Sequence, residues 1–223
     1  MLEISNVKVY DLEETLVASG NAMRTEPVTV TSDEVEKGLK RMERLVKSSY
    51  NSDVHCHDNA LTGIRVSFDV KYPQYWSLEF QRYHFADIVT SSSKMHRLCK
   101  MNISEACNKY VDKTVIERMQ KFVDNYNTAV NSDVEDYAYY DNEQHKTVYV
   151  YGHDNVVYAC FMRMISNCPM GLELFMRVST NYKQLQTIYN QRKNHRLKED
   201  WGAFCEMIEK LPYFDELIKN NKE

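Results

Sequence analysis

Cys168-Pro-Met-Gly-Leu-Glu-Leu-Phe-Met-Arg-Val-Ser-Thr-Asn-Tyr-Lys-Gln-Leu185, continued by Ile188-Tyr-Asn-Gln-Arg192 and then by His195 and Trp201, places several polar groups on and beside one helix. Leu185, Ile188 and Tyr189 recur at helical spacing, so residues 182–194 read as a helix with one apolar face. Asn181 stands at its start, Lys183 on its polar side and Arg192 near its end. An asparagine and an arginine so placed can reach one cleft. The plainer reading of the same pattern is an amphipathic helix with an ordinary polar face.

Outward from this stretch, residues 199–211 continue as a helix that Pro212 stops, and residues 155–165 form the helix before it. Residues 104–130 keep a 3.6-like period through Tyr110, Val115, Met119, Phe122 and Tyr126 and read as one long helix. Between 131 and 152 acids, tyrosines and asparagine predict an irregular connection with a strand at 147–151. In the amino-terminal half, Ile64, Val66, Phe68 and Val70 alternate with polar neighbours, which marks the clearest strand. Pro73 ends it and opens a helix over 74–84, followed by a polar stretch at 87–94. Residues 4–10 alternate as a second strand, and 12–23 form a short helix. Thr31 or Ser32 caps a helix that runs to about Ser48 on Val35, Leu39, Met42, Leu45 and Val46. The composite is α+β, mixed helices with an antiparallel sheet, in a single domain over 1–223 with no linker, internal repeat or low-complexity tail.

The chain has 223 residues, 43% of them apolar and 12% aromatic, enough for one well-buried core. With 28 basic against 32 acidic side chains, its net charge of −4 supports no broad cationic field. A nucleic-acid polymer and an anionic membrane surface are therefore not expected partners, and any bound phosphate must be held locally. The first ten residues lack the basic and apolar segments of a signal peptide, and no run approaches a membrane span, so a cytoplasmic location is expected. Six scattered cysteines without close pairs fit reduced core thiols.

Short motifs narrow the chemistry. His55-Cys56-His57-Asp58 offers metal-ligand types, but adjacent side chains do not all turn comfortably toward one ion, so no metal is expected. Ser91-Ser-Ser-Lys94 matches Ser-x-x-Lys of serine acyl-transfer enzymes without the companion motifs, and a solvated serine-rich turn accounts for it. Neither the glycine-rich dinucleotide fingerprint nor the P-loop string exists among six glycines. The tyrosine-rich segment at 137–158 also suits a partner surface, since tyrosine supplies contact area.

The stretch from Pro169 to Trp201 resembles the carboxyl-terminal motifs of the flavin-dependent thymidylate synthases (ThyX-like). Cys168-Pro169, Phe175, Thr180-Asn181-Tyr-Lys183-Gln-Leu185, Ile188-Tyr-Asn-Gln-Arg192, His195 and Trp201 follow that family's series without a gap between Pro169 and Arg192. Upstream, Phe68-Asp-Val-Lys-Tyr-Pro73 is similar to the family's strand Phe-x-Val-x-x-Pro. Arg82-Tyr-His-Phe-Ala-Asp-Ile-Val-Thr-Ser-Ser92-Ser-Lys94 stands where its Arg-His-Arg signature lies. Arg82, Ser92 and Lys94 keep the first arginine, the late serine and the final base. Tyr83, His84, Asp87, Val89 and Thr90 depart from it, and Glu79 occupies the place of a glutamine near the nucleotide.

The resemblance implies a ThyX-like fold and a transferase of nucleotide biosynthesis, an FAD-dependent methyltransferase that makes dTMP from dUMP. Methylenetetrahydrofolate would be the carbon donor and NADPH the reductant, in a homotetrameric flavoprotein. Arg192 becomes the catalytic residue that contacts and polarises the pyrimidine; Glu79, Ser92, Lys94 and Arg192 bind the nucleotide; His57, Arg82, His84, Asn181, Lys183, Thr187 and His195 line the flavin. A guanidinium can hold a ring carbonyl and stabilise charge developing there. The rewritten signature leaves two alternatives open: a nucleotide-binding protein on the same fold with altered or lost catalysis, and C5-hydroxymethylation of a pyrimidine nucleotide.

Overall fold

The computed structural model describes residues 2–51 and 57–219, with Tyr50 and Asn51 as backbone only. Its contacts gather into two compact units. The first comprises residues up to 72, 76–91 and from 175 onward; the second comprises 73–75 and 92–174.

In the first unit β1 (Glu3–Tyr10), β2 (Arg65–Pro73), β3 (Asp87–Ser91) and β6 (Glu173–Asn181) form a sheet in the order β1-β2-β6-β3. β1 pairs antiparallel with β2, and β3 with β6. In β2 the alternation works as the sequence predicts: Val66, Phe68 and Val70 are buried while Arg65, Ser67, Asp69 and Lys71 are not. β6 was not expected as a strand, yet Leu174, Met176 and Val178 alternate into the core in the same way. β3 corrects the polar stretch expected at 87–94. All five of its residues are exposed, as suits an edge strand whose formation rests on backbone pairing rather than on an apolar face.

Helices α1 (Leu12–Ala18) and α2 (Ser32–Asn51) pack closely in this unit. Gly38 allows it: a Cβ there would meet the Leu16 carbonyl oxygen at 2.3 Å. The short helix expected to end near Gly20 ends at Ala18, and residues 21–23 follow as a 3₁₀ turn. α3 (Gln74–Phe80) ends four residues before the expected limit, and α8 (Tyr182–Arg192), α9 (Lys198–Glu209) and α10 (Phe214–Leu217) complete the unit's helices. Its core is aromatic. Trp76 stacks on Phe80 at 4.7 Å between ring centroids, and Trp201 and Phe204 lie 5.1 and 5.8 Å from Trp76. Phe68 meets Phe204 edge-on at 5.6 Å. Such pairs add about 0.5–1.5 kcal/mol each beyond area burial.

The second unit holds α4 (Lys94–Arg97), α5 (Ile103–Ala106), α6 (Lys113–Asn131), the hairpin β4 (Asp136–Asp141) with β5 (Lys146–Tyr151), and α7 (His153–Ser166). The single helix expected over 104–130 is broken. Asn108 turns its side-chain oxygen to the Tyr110 amide, its own amide donates to the Gly171 carbonyl, and Asp112 caps the fresh start of α6 at Thr114. A Cβ on Gly171 would meet Val111 Cγ2 at 2.4 Å, so this chain crossing needs glycine. The strand expected at 147–151 stands as β5, and β4 pairs with it where an irregular connection was expected. Met119, Phe122 and Val123 of α6 and Val156, Cys160 and Met164 of α7 are buried in this unit.

Among the described residues no helix is long and apolar enough to cross a membrane. Five described cysteines are free thiols. Cys56 and His55 lie outside the described residues, and among those described no three His, Cys, Asp or Glu side chains are grouped to hold a metal ion.

Candidate functional site

Arg192 ends α8, where a cation suits the negative end of the helix. Its Nη1 donates to Glu79 Oε2 at 3.1 Å and its Nε donates to the Tyr83 hydroxyl at 2.7 Å. The Tyr83 hydroxyl in turn donates to Gln191 Oε1 at 3.0 Å. The guanidinium carbon lies 4.5 Å from the Trp201 ring centre and 5.6 Å from that of Tyr83. Trp201 Nε1 donates to the same Glu79 oxygen at 2.9 Å, and His195 Nε2 stands 3.6 Å from it. One carboxylate oxygen thus gathers an arginine, an indole and an imidazole from the two helices and loop that follow β6.

The group is partly sheltered, with 17% of the Arg192 side chain and 27% of the Glu79 side chain exposed. Shelter and charge assistance make these bonds stronger than surface pairs. Burial raises the Tyr83 hydroxyl pKa, against a smaller opposite pull from its Arg192 hydrogen bond, so the phenol stays protonated. A guanidinium has five N–H donors, of which two are engaged here, so Arg192 retains donors for an incoming carbonyl or anion. Chemically this is a pre-oriented cation resting on the Trp201 ring, with a phenol and a carboxylate engaging it.

Four of the seven residues expected around a flavin have other employment. Asn181 is buried and caps α8, accepting from the Gln184 amide at 2.9 Å. Lys183 donates to the buried carboxylate of Asp58 and, at 3.2 Å, to Gln186 Oε1. Thr187 donates back to the Lys183 carbonyl at 3.2 Å. His195 Nδ1 accepts from the Leu197 amide. His57, Arg82 and His84 are exposed. With Asn181, Lys183 and Thr187 spent on holding α8, the donor set fits a flavin poorly.

Of the expected phosphate ligands, Lys94 belongs to the second unit, where its Nζ donates to Gln74 Oε1 at 2.8 Å. The Gln74 amide in turn donates to the Pro169 carbonyl at 2.9 Å. Ser92 is half-buried beside it in sequence. The structure therefore brings Glu79, Arg192 and His195 together, holds Asn181, Lys183 and Thr187 along α8, and leaves Arg82 and His84 at the surface. Sequence reasoning missed Tyr83 as the acceptor for Arg192 and Asp58 as the partner of Lys183. The one available signal was the carboxylate at Glu79 itself, an acceptor where an amide was expected.

No family model matches this sequence, and no curated protein matches it significantly. Solved structures do resemble it. A flavin-dependent thymidylate synthase ThyX from Helicobacter pylori, complexed with FAD and dUMP, shares 13% identity at a TM-score of 0.60. The match covers 96% of this chain and 100% of that one. A second Helicobacter pylori ThyX structure with FAD and dUMP gives 12% identity and a TM-score of 0.60, with 98% of each chain covered. At that identity the likeness is one of backbone architecture, and over nearly its whole length this chain has the fold of the flavin-dependent thymidylate synthases.

Proposed function

We propose that this chain binds a pyrimidine deoxynucleotide, dUMP first, at the Arg192 cluster, on a ThyX-type fold whose ligand must compete with Glu79. The observation that carries the reading is the guanidinium of Arg192, held against Trp201 and by the Tyr83 hydroxyl with donors left over. A fixed guanidinium loses little freedom on meeting a ring carbonyl. Glu79 works the other way, because a carboxylate repels a nucleotide phosphate and already accepts from Arg192. Calorimetric titration of the full chain with dUMP and dCMP tests the proposal. Binding that weakens at least tenfold in Arg192→Ala supports it; equal binding by both proteins refutes it.

A second reading adds catalysis: reductive methylation of dUMP to dTMP with methylenetetrahydrofolate, FAD and NADPH in a homotetramer. It draws on the retained Arg192 and on a fold shared with proteins solved with FAD and dUMP. The employment of Asn181, Lys183 and Thr187 within α8 weighs against it. An absorption spectrum of the purified protein, before and after incubation with FAD, separates the readings. A bound-flavin spectrum favours the enzyme, and a colourless protein that still binds dUMP favours the nucleotide-binding reading.

A further inference from the structure

The second unit carries a cavity of about 770 Å³ formed by the β4–β5 hairpin, α6 and α7, none of which contributes to the Arg192 cluster. Among the described residues its lining contains Arg118 and Arg163 and no acidic residue, in a chain whose net charge is −4. Neither arginine forms an ion pair with a described carboxylate. Instead Arg163 lies 5.1 Å from the Phe122 ring centre and 5.2 Å from that of Tyr139, and Arg118 lies 5.9 Å from Phe122. Stacking on rings holds a guanidinium in place without consuming its N–H donors. Arg163 Nε is buried and has no hydrogen-bond partner, an unusual cost for a charged group.

The rim supplies different chemistry. Tyr140 and Tyr158 are 52% and 66% exposed, so two aromatic faces stand open to solvent beside the two cations. Asn142 and Asn155 add amide groups; the Asn155 Nδ2 is tied to the Tyr151 carbonyl at 3.0 Å, which fixes the side chain and leaves its oxygen as an acceptor. Unpaired guanidiniums call for an anion, exposed tyrosines for a flat ring, and amides for a ring edge with donors and acceptors. The volume lies within the range of small-molecule sites.

We infer that this cavity binds an aromatic phosphate monoester of mononucleotide size, with the phosphate on Arg118 and Arg163 and the base against Tyr158. The site is separate from the Arg192 cluster and does not depend on the function proposed for it. Calorimetry on the full chain with AMP, adenosine and inorganic phosphate provides the test. AMP is expected to bind, adenosine and phosphate each to bind at least tenfold more weakly, and Arg163→Met to weaken AMP at least tenfold. Tyr158→Leu, at an exposed position that folding does not need, should weaken AMP several-fold and keeps the test open if Arg163→Met fails to fold. Absence of AMP binding at millimolar concentration overturns the inference. So does AMP affinity unchanged in Tyr158→Leu and Arg118→Met, or AMP binding lost in Arg192→Ala and retained in Arg163→Met. Phosphate binding as tight as AMP overturns the aromatic half of the assignment and with it the mononucleotide.

Discussion

Glu79→Gln separates the structural role of the Arg192 cluster from its proposed ligand role, because the two respond in opposite directions. The glutamine can still accept from Trp201 Nε1 and Arg192 Nη1, so the loss is the charge on an otherwise preserved geometry. Fully exposed pairs are worth about 0.2–1 kcal/mol and breaking a fully buried one costs about 3–5 kcal/mol. With exposures of 17% and 27% the pair lies between, and retained hydrogen bonds soften the change, so a stability loss of about 1–2 kcal/mol is expected. For a chain of this size that lowers Tm by roughly 2–8 °C in a calorimetric melt. Affinity for dUMP should rise about tenfold, equal to about 1.4 kcal/mol, since the carboxylate no longer competes for Arg192 or repels phosphate. A lower Tm with dUMP binding unchanged or weaker would refute the view of Glu79 as a competitor.

Phe204→Ala removes a fully buried ring that touches Phe68, Trp76, Phe80 and Trp201, and should cost about 3–5 kcal/mol in denaturant unfolding. Asn181→Ala should cost about 1 kcal/mol through the lost cap while leaving flavin uptake as in the parent protein; a spectral titration that changes instead would return Asn181 to the cofactor. Burial pushes the Cys107 and Cys205 thiols up to about 11. Their thiolate fraction at pH 8 is then about one in a thousand, and alkylation followed by mass spectrometry should label them only as the protein unfolds or as pH approaches 11. Rapid labelling of either at pH 8 would contradict this burial.

Where a residue pattern answers to one local cause, the sequence was readable. The alternation of Val66, Phe68 and Val70 makes β2, and Thr31 accepts from the Glu34 amide at the start of α2. Where two causes compete, periodicity misled. Residues 104–130 keep a helical apolar rhythm in which Tyr110 and Val115 are exposed, and Asn108, bonded to Gly171 more than fifty residues away, diverts the backbone before Asp112 restarts the helix. β3 could not be found by burial at all, since its whole length is exposed and its partner is β6. Asn6 shows the same dependence on a distant partner. It adopts φ 51° where β1 slips against β2, and its amide reaches Asp69 across the pair.

The site was legible in residue type and illegible in employment. Asn181, Lys183 and Arg192 lie at the start, in the first turn and at the end of α8, but a side chain's work is set by the nearest unsatisfied group. For Asn181 that group is the Gln184 amide at the open end of α8, and for Lys183 it is the buried Asp58 carboxylate. Both demands are internal, and leaving either unmet would strand a buried polar group at a cost of about 1–3 kcal/mol or more. Arg192 differs because its two engaged donors do not exhaust it and its rings are held by the core rather than by a ligand. A helix can therefore keep one cation with donors to spare while its neighbours are drafted into structure. On that reasoning Glu79 decides which way this protein goes, since it is the one group in the cluster that both completes the structure and contests the ligand.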